Sequence, residues 1–414
     1  MQSSCDLVII GAGAAGLSAA RAATQAGLSV ELVEAMDRIG GRAYTDQASL
    51  PAPFDHGCQW LHSAGINPFT READRLGFRY WTDPFVIRIH DGKWWLNDQI
   101  VEEYSAFMEA TYDRIEEAAK AGDDRAASNF IDRTSPWAAL FARNYCGYVA
   151  AAPEHSSTYD TGRFRNTHED WPVENGYGAL IAATHADVDV NLACPVKSVD
   201  WGGDEIMVGT SKGMIFCRAV LVTSSITTLR EERIKFFPQL PAWKRDAIGR
   251  IEMGYAEKVA FWFKRDPFPG LGMHFAMLNW PDAPDAAFQV KPYGRPMATM
   301  FAGGHFARDL FAQGEEAAIA EAKTLLAKVF GPEILREIAG VKATQWVANP
   351  WIGGGYSVLA PGGGEARAEL AQPIDGKIFF AGEATSRDAF STAHGARQSG
   401  IDAVTAIANA LRAV

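Results

Sequence analysis

The sequence predicts an α/β fold that begins with a strand–turn–helix–strand unit. Residues 6–10 form a short apolar run that leads directly into the pattern Gly-Ala-Gly-Ala-Ala-Gly at residues 11–16. The stretch 17–27 is rich in alanine, and the apolar run 29–33 that follows it ends at Glu34. A glycine turn between a strand and a helix, with an acid at the end of the next strand, is typical of a dinucleotide-binding domain.

The three glycines have different tasks in such a unit. Gly11 permits the tight turn, Gly13 lets phosphate groups approach the backbone, and Gly16 lets the helix pack on the strand. The turn presents backbone N–H groups and the positive end of the helix dipole to a pyrophosphate. Glu34 lies about twenty residues further on, where an acid accepts hydrogen bonds from ribose hydroxyls. An acid at this position argues against a 2′-phosphate, and so against NADP.

Composition excludes several classes of function. The chain has 414 residues, of which 48% are hydrophobic and 21% charged, enough for two or three domains with a sizeable core. A net charge of −11 disfavours nucleic acid and anionic membranes as partners. No window reaches about eighteen apolar residues, so we expect no membrane span. The first predicted strand begins close to Met1, so we expect neither a signal nor a transit peptide.

The cysteines indicate a reducing compartment. The five of them are far apart in the sequence and odd in number, with neither the spacing of a metal site nor that of a disulfide framework. We therefore expect reduced thiols, no metal, and a cytoplasmic protein.

Hydrophobic periodicity predicts several further elements. Amphipathic helices are expected over residues 69–76, 100–121, 135–150 and 315–330. Residues 78–95 alternate with aromatic side chains and predict two strands joined by a turn at Asp91-Gly92.

A Gly-Gly-Arg segment ending at Arg42 follows Glu34 closely. An arginine here can reach back to the pyrophosphate, since its guanidinium offers a bidentate fork to phosphate, although a solvated arginine in a surface turn is the alternative. In this segment the chain first resembles the flavin-containing amine oxidases, whose dinucleotide unit runs into such a Gly-Gly-Arg sequence. The resemblance implies that the cofactor is FAD and that Arg42 contacts its pyrophosphate.

Residues 54–68 make the resemblance more specific. They contain Asp-His-Gly, Trp-Leu-His-Ser and Asn-Pro, where polyamine oxidases carry Asp-x-Gly, Trp-Ile-His-Gly and Asn-Pro. The resemblance implies that Gly57 lies near the isoalloxazine ring and that His62 faces the substrate; a purely structural histidine is the alternative. Ser63 replaces the usual glycine and His56 an apolar residue, and both departures suggest a changed substrate path.

Lys258 stands within residues 255–263, which alternate as a strand and are otherwise mostly apolar. Burying an ammonium costs several kcal/mol unless it is paired or neutral, so a lysine here is unusual. The resemblance implies that Lys258 is the amine-oxidase lysine, which holds a water against flavin N5. A lysine on a solvent-facing strand position is the alternative.

Residues 351–357, Trp-Ile-Gly-Gly-Gly-Tyr-Ser, are similar to a second family motif. In the family its tyrosine, here Tyr356, forms one wall of an aromatic cage that faces the flavin. Aromatic faces suit an amine, because its oxidation passes through a cationic iminium. Monoamine oxidases have a flavin-linked cysteine just before this tyrosine, whereas this chain has Gly355, so we expect non-covalent FAD.

Residues 378–400 carry the last motif, an apolar strand followed by Gly-Glu and a glycine-rich helix start. This is a second phosphate-binding geometry. The resemblance places Glu383 near the ribityl–pyrophosphate region and the segment 392–396 over the pyrimidine end of the flavin. Thr392 stands where monoamine oxidases have a second cage tyrosine. The sequence Ser-Thr-Ala-His-Gly-Ala therefore resembles the branch of polyamine oxidases and lysine-specific histone demethylases.

The resemblance covers essentially the whole chain and implies an interleaved two-domain fold. An α/β FAD-binding Rossmann-type domain takes residues 1–76, 171–250 and 346–414, and an α+β substrate domain with a mixed sheet takes 77–170 and 251–345. The FAD-binding residues that it implies are Gly11, Gly13, Ala15, Gly16, Glu34, Ala35, Gly41, Arg42, Gly57, Gln59, Trp60, Val196, Trp351, Gly382, Glu383, Ser391 and Thr392.

The implied reaction is oxidation of a primary or secondary amine, polyamine-like or another small amine. Hydride passes from its α-carbon to flavin N5 and gives an imine or aldehyde, and O₂ or another acceptor takes the electrons, O₂ giving H₂O₂. Lys258, Tyr356 and His62 are the expected catalytic residues, and a homodimer is compatible with the resemblance. An amine dehydrogenase, an enzyme like L-amino-acid oxidase, a C–C desaturase and a non-catalytic flavin protein stay open.

Overall fold

The computed structural model describes residues 2–412, which form two large sheets with helices packed against them. The strands are β1 (Gln2–Ile10), β2 (Val30–Val33), β3 (Thr45–Asp46), β4 (Phe54–Asp55), β5 (Trp60–Leu61), β6 (Val86–His90), β7 (Trp171–Pro172), β8 (Val196–Asp200), β9 (Ile206–Thr210), β10 (Gly213–Val222), β11 (Lys235–Phe237), β12 (Ile251–Met253), β13 (Ala256–Phe263), β14 (His274–Leu278), β15 (Ala286–Val290), β16 (Met297–Gly303), β17 (Ile338–Ala343), β18 (Ser357–Leu359) and β19 (Ile378–Phe380). The α-helices are α1 (Ala14–Gln25), α2 (Pro68–Leu76), α3 (Asp98–Lys120), α4 (Ala138–Val149), α5 (Thr158–Arg163), α6 (Tyr177–Thr184), α7 (Ile226–Arg230), α8 (Ala242–Arg250), α9 (Gly304–Phe311), α10 (Glu315–Phe330), α11 (Ile334–Glu337), α12 (Ala366–Ala371) and α13 (Ala393–Arg412).

The first sheet contains the predicted dinucleotide unit. Its strands run in the order β11-β8-β9-β10-β1-β2, and β19 also pairs with β10. Strand β1 is parallel to both β2 and β10, and α1 forms the crossover between β1 and β2. The C-terminal helix α13 packs closely on α1. Their contact needs the glycine at position 400, since a Cβ there would lie only 2.3 Å from the carbonyl oxygen of Ala15. The N-terminal and C-terminal parts of the chain thus meet in one layer.

The second sheet has the order β17-β13-β16-β15-β14-β6. The β14–β6 pair is parallel and the other neighbours are antiparallel, so the sheet is mixed. Residues of α10 are buried against the strands in one apolar core. Its strands come from residues 86–90 and 256–343, between segments that build the first sheet. The predicted fold class, with two interleaved α/β and α+β parts, is confirmed, whereas the five segment boundaries remain a prediction.

Most of the predicted local elements are present. The four predicted helices correspond to α2, α3, α4 and α10. The prediction of two strands within 78–95 is wrong: β6 is the strand there, and Trp95 returns to His90 through an isolated bridge beyond the turn. Tyr80 instead bridges to Val173. Alternating aromatic residues indicate an extended chain with one buried face, but they do not show whether it has a strand partner.

The five cysteines of the chain are free thiols. Among residues 2–412, no helix combines the length and the apolar character needed to cross a membrane. The same residues contain no group of three or more His, Cys, Asp or Glu side chains arranged to hold a metal ion.

Candidate active site

The glycine turn leaves an open space in front of α1. A Cβ on Gly16 would lie 1.8 Å from the Gly11 carbonyl oxygen, which explains the glycine at that contact. A Cβ on Gly13, in contrast, would meet nothing nearer than the Gly40 carbonyl oxygen at 4.0 Å. Within the described chain no side chain caps the N-terminus of α1, where Ala15 lies in the first turn. The free N–H groups of this turn and the helix dipole favour a phosphate here.

Glu34 lies beside this turn, at the end of β2. Its Oε2 accepts a hydrogen bond from the Ala12 amide at 2.7 Å, and its Oε1 accepts one from Met36 at 2.9 Å, across Ala35. Burial raises the pKa of Glu34, and these amide hydrogen bonds oppose the rise. The Cys194 amide donates to the Glu34 carbonyl oxygen at 2.7 Å, which brings the start of β8 at Val196 to the same edge.

Arg42 connects the glycine turn to the C-terminal motif. A Cβ on Gly41 would lie 3.5 Å from the Gly13 Cα, so the two glycine segments touch. Arg42 Nη1 donates to Glu383 Oε1 at 2.9 Å and to the Gly355 carbonyl oxygen at 2.8 Å. Burial would raise the pKa of Glu383, but the charges of Arg42 and Arg367 outweigh it and hold that pKa below its ordinary value. Glu383 is therefore ionised at neutral pH.

Lys258 is buried, as the amine-oxidase interpretation requires, with 6% of its surface exposed. Its Nζ donates to the carbonyl oxygens of Asp55 and Gly57 at 2.9 and 2.7 Å, and to Gln59 Oε1 at 3.3 Å. These three acceptors match the three N–H donors of an ammonium. Burial lowers the pKa of Lys258 to about 8, and the charge of Asp55 opposes this shift. The solvent-facing alternative is thereby excluded.

Gly57 and Gln59 both make close contacts with other residues of the chain. A Cβ on Gly57 would lie 1.7 Å from the Arg42 carbonyl oxygen, so only glycine lets these two segments meet. Gln59 is buried, and its Nε2 donates to Gln289 Oε1 on β15 at 3.0 Å. This bond leaves Gln59 Oε1 free to accept from Lys258. The segment 55–59 thus contacts both Arg42 and the second sheet at the lysine.

Aromatic side chains enclose the lysine on one side. The Trp60 ring lies 5.4 Å from Phe301, 6.3 Å from Phe275 and 6.5 Å from Phe85, measured between centroids. We call these four residues the aromatic cluster. Lys258 Nζ lies 5.0 Å from the Phe301 centroid and 5.7 Å from that of Trp60, within the range of a cation–π interaction.

His62 and Asp170 form a pair at the edge of the aromatic cluster. His62 lies 6.2 Å from Trp60 between ring centroids, and its Nδ1 is 2.7 Å from Asp170 Oδ1. Their side chains are 28% and 25% exposed. Burial opposes ionisation of Asp170, but the hydrogen bond and charge of His62 outweigh it, so the pKa of Asp170 lies below its ordinary value. An ionised carboxylate thus stands at this end of the cluster.

Tyr356 contacts helix α4 through its hydroxyl group. Its hydroxyl donates to the Tyr148 carbonyl oxygen at 2.7 Å. Tyr148 lies near the end of α4 and is 45% exposed. Its backbone therefore fixes the hydroxyl of the predicted cage tyrosine.

The remaining predicted cofactor residues lie near the C-terminal motif. The Ser391 hydroxyl donates to the Ser357 carbonyl oxygen, and its amide donates to Glu383. The Thr392 hydroxyl accepts from the Gly395 amide at 3.0 Å and so caps the start of α13. The Trp351 carbonyl oxygen accepts from Ser225. The side chains of Ser391 and Thr392 are thus occupied by contacts within the chain.

Two family profiles match the chain over most of its length. The profile described as flavin containing amine oxidoreductase matches residues 98–408, and that of the NAD(P)-binding Rossmann-like domain matches residues 9–73. The chain belongs to the flavin-containing amine oxidoreductase family. The predicted family is therefore confirmed.

Relatives of this amine oxidoreductase fall in the predicted branch. Polyamine oxidase 4 of Oryza sativa subsp. japonica is 27% identical over 443 residues, which cover 96% of this chain and 87% of the rice protein. Lysine-specific histone demethylase 2 of Homo sapiens is 27% identical over 441 residues, covering 97% of this chain, but the chain spans only 53% of that protein. Mouse lysine-specific histone demethylase 1B is covered to the same 53%.

Solved structures of amine oxidases share the fold. Cyclohexylamine oxidase from Brevibacterium oxydans IH-35A superposes with a TM-score of 0.82 at 22% identity, covering 99% of both chains. Wild-type putrescine oxidase bound to putrescine gives a TM-score of 0.78 at 20% identity, covering 98% of this chain and 99% of the other. At such identities the likeness shows the fold alone.

FAD is the cofactor that the family implies, and the residues of this amine oxidoreductase fit it. The open glycine turn, the uncapped start of α1 and Arg42 would hold a pyrophosphate, and Glu34 would bind a ribose. The acid at position 34 agrees with FAD rather than with a 2′-phosphorylated nucleotide.

Sequence reasoning missed several residues of the site. Gln289, like Lys258, is a polar residue in an apolar strand. The same sequence pattern could therefore have identified it as a candidate site residue. Glu257 is buried and accepts from Thr344 and from the Val347 amide, and burial raises its pKa to about 7. Asp170 lies in a charged segment without any pattern, so no local signal marked it.

Proposed function

We propose that this protein is an FAD-dependent amine oxidase that oxidises a small primary or secondary amine and passes the electrons to O₂, forming H₂O₂. The observation that carries the proposal is the buried Lys258 ammonium, held by three oxygens beside the aromatic cluster. Burying an ammonium costs several kcal/mol, and Lys258 lies beside the segment 55–59, in which the family resemblance places Gly57 near the isoalloxazine ring. When bound, FAD accepts a hydride from the α-carbon of the amine.

The aromatic enclosure favours the reactive form of an amine. A substrate with a pKa near 10 is only about 0.1% neutral at pH 7, which costs about 4 kcal/mol. Lys258 is itself an amine in this environment, and burial lowers its pKa to about 8. A substrate ammonium that is desolvated to the same degree would be about 10% neutral at pH 7. Desolvation by the cluster would therefore remove most of the cost of deprotonating the substrate.

Asp170 supports a substrate with a second cationic group. The carboxylate is ionised, partly exposed, and bound to His62 at the edge of the aromatic cluster. His62 Nδ1 lies 2.7 Å from Asp170 Oδ1 and holds that carboxylate in place. The ionised carboxylate would attract a distal ammonium and disfavour the carboxylate of an amino acid. We therefore expect diamines and polyamines to be preferred over simple monoamines and over L-amino acids.

An anaerobic screen tests both parts of the proposal. Bleaching of the bound flavin is followed with putrescine, spermidine, cyclohexylamine, benzylamine and an L-amino acid, and butylamine is the matched monoamine for putrescine. Putrescine should reduce the flavin at least about tenfold faster than butylamine, an advantage of about 1.4 kcal/mol. Asp170→Asn should remove that advantage and leave butylamine unaffected.

Each outcome of the screen has a distinct meaning. Bleaching by cyclohexylamine and not by diamines would refute the role of Asp170 but keep the amine oxidase. Bleaching by no amine would refute the oxidation of small amines and favour a desaturase or a non-catalytic flavin protein. Rapid reduction followed by slow reoxidation in O₂, without H₂O₂ in a peroxidase assay, would indicate an amine dehydrogenase instead.

A further inference from the structure

Arg367 is a buried arginine whose guanidinium N–H donors all make hydrogen bonds within the chain. Its Nε and Nη2 donate to the two carboxylate oxygens of Asp160 at 2.7 and 2.8 Å, and both side chains are nearly inaccessible, at 4% and 8%. Its Nη1 donates to Ser357 Oγ at 2.7 Å and to the Ala384 carbonyl oxygen at 3.2 Å, and Nη2 also donates to the Ser357 carbonyl oxygen at 3.3 Å. Five acceptors thus face the five N–H donors of one guanidinium.

The bonds continue from Ser357 to Glu383. Ser357 Oγ donates to Glu383 Oε2 at 2.6 Å, and the Ser357 amide donates to Glu383 Oε1 at 3.2 Å. Glu383 in turn holds Arg42, which also donates to the Gly355 carbonyl oxygen at 2.8 Å. The residues on both sides of Tyr356 are therefore fixed by one buried network, which also contains the two charged residues expected at the FAD pyrophosphate.

An ion pair buried this deeply is not explained by stability alone. Removing two charges from water costs several kcal/mol each, and apolar replacements of such pairs are often neutral or stabilising. Asp160 lies on α5, in the part of the chain between the two large segments of the first sheet, whereas Arg367 lies on α12 beside the Glu383 loop. The pair thus joins two distant parts of the chain at the point where Ser357, the neighbour of Tyr356, meets Glu383.

We propose that the Asp160–Arg367 pair holds Tyr356 and the Glu383–Arg42 pair in the positions that FAD binding requires. Loss of the pair loosens the residues flanking Tyr356 and the cofactor loop together. The part that concerns Tyr356 rests on the proposed function, whereas the part that concerns FAD binding does not. The test therefore measures FAD affinity first, and that measurement needs no amine.

Three variants separate positioning from stability. Arg367→Met leaves Asp160 buried without a partner, so it should lower the melting temperature and raise the Kd of FAD about tenfold or more. Asp160→Asn combined with Arg367→Met removes both charges, so the melting temperature should recover while the Kd stays raised. Arg367→Lys keeps the charge but offers three donors instead of five, and it should also raise the Kd. FAD fluorescence during titration of the apoprotein gives the Kd.

Lys291→Met is the control, because it breaks an ion pair with Asp266, next to the second sheet, that shares no residue with this network. It should lower stability and leave the Kd of FAD unchanged. For Tyr356, a double-mutant cycle is decisive: Arg367→Met should slow flavin reduction in the wild-type background and have no further effect in Tyr356→Ala. Wild-type FAD affinity in any folded Arg367 variant, or the same rise in Kd in Lys291→Met, would overturn the proposal.

Discussion

Replacing Lys258 with methionine tests the residue on which the assignment depends most. The change keeps the length and apolar stem of the side chain and removes the ammonium that donates to Asp55, Gly57 and Gln59. If this ammonium serves the flavin chemistry, reduction by amine or reoxidation by O₂ should slow about 10²-fold, or about 2.7 kcal/mol. FAD content should not change, because the residues expected at the pyrophosphate are untouched.

The structure also sets the magnitude of the effect on stability. Burial lowers the pKa of Lys258 from 10.5 to about 8, and at about 1.36 kcal/mol per pH unit this makes the folded ammonium about 3 kcal/mol less favourable than the unfolded one. Methionine removes that cost but leaves three oxygens without their donor, at about 1 kcal/mol each. At pH 7 the two effects nearly cancel, so the variant should fold with a stability close to that of the wild type.

The cancellation ends as the pH rises. Between about pH 8 and 10.5 the unfolded wild type binds more protons than the folded protein, so its unfolding free energy increases with pH. The wild type should therefore gain about 3 kcal/mol over Lys258→Met across this window, and lose it again as the pH falls through 8. Urea denaturation of both proteins at pH 7, 9 and 10.5 measures this difference, and the titration of other groups cancels in the comparison.

Lys244 is a matched control within the same chain. It is fully buried, its Nζ donates to the carbonyl oxygens of Glu369, Leu370 and Gln372, and burial lowers its pKa to about 7. Lys244→Met should change the pH dependence of stability and leave both flavin half-reactions alone in stopped-flow measurements. Wild-type half-reactions in Lys258→Met would refute its catalytic role, and parallel stability curves would refute the desolvated ammonium.

Three further predictions follow from the site. Tyr356→Ala should keep the FAD spectrum and slow flavin reduction at least about tenfold, or about 1.4 kcal/mol, since it removes one wall of the cage; an unchanged rate in stopped flow would contradict the cage. Acid precipitation should release FAD into the supernatant because Gly355 offers no thiol, and flavin retained in the pellet would show a covalent bond. The pKa of Glu257 rises from 4.5 to about 7, so the folded protein binds more protons in this range and its stability should fall as the pH rises from 4.5 to 7; Glu257→Gln should flatten that slope in thermal denaturation.

The cofactor end of the site could be predicted because its determinants are local. Gly11, Gly13, Gly16 and Glu34 lie within one strand–helix–strand unit, where each residue type follows from backbone geometry or from contact with the neighbouring element. Lys258 was recognisable for a related reason, since an ionisable residue in an apolar strand needs a partner. Neither signal depends on knowing which distant residues pack nearby.

The amine end depends on partners that local patterns cannot reveal. Lys258 meets Gln59 across 199 residues, Gln59 meets Gln289 across 230, and His62 meets Asp170 across 108. A polar residue in an apolar strand shows that some partner exists, but which one it meets is decided by how the two sheets pack together. Local sequence thus determines the proposed FAD end of the site, and tertiary packing determines the proposed amine end. Relatives about 27% identical can therefore share the cofactor and differ in substrate, and we expect such differences at Gln59, Asp170 and Gln289 rather than at the glycines.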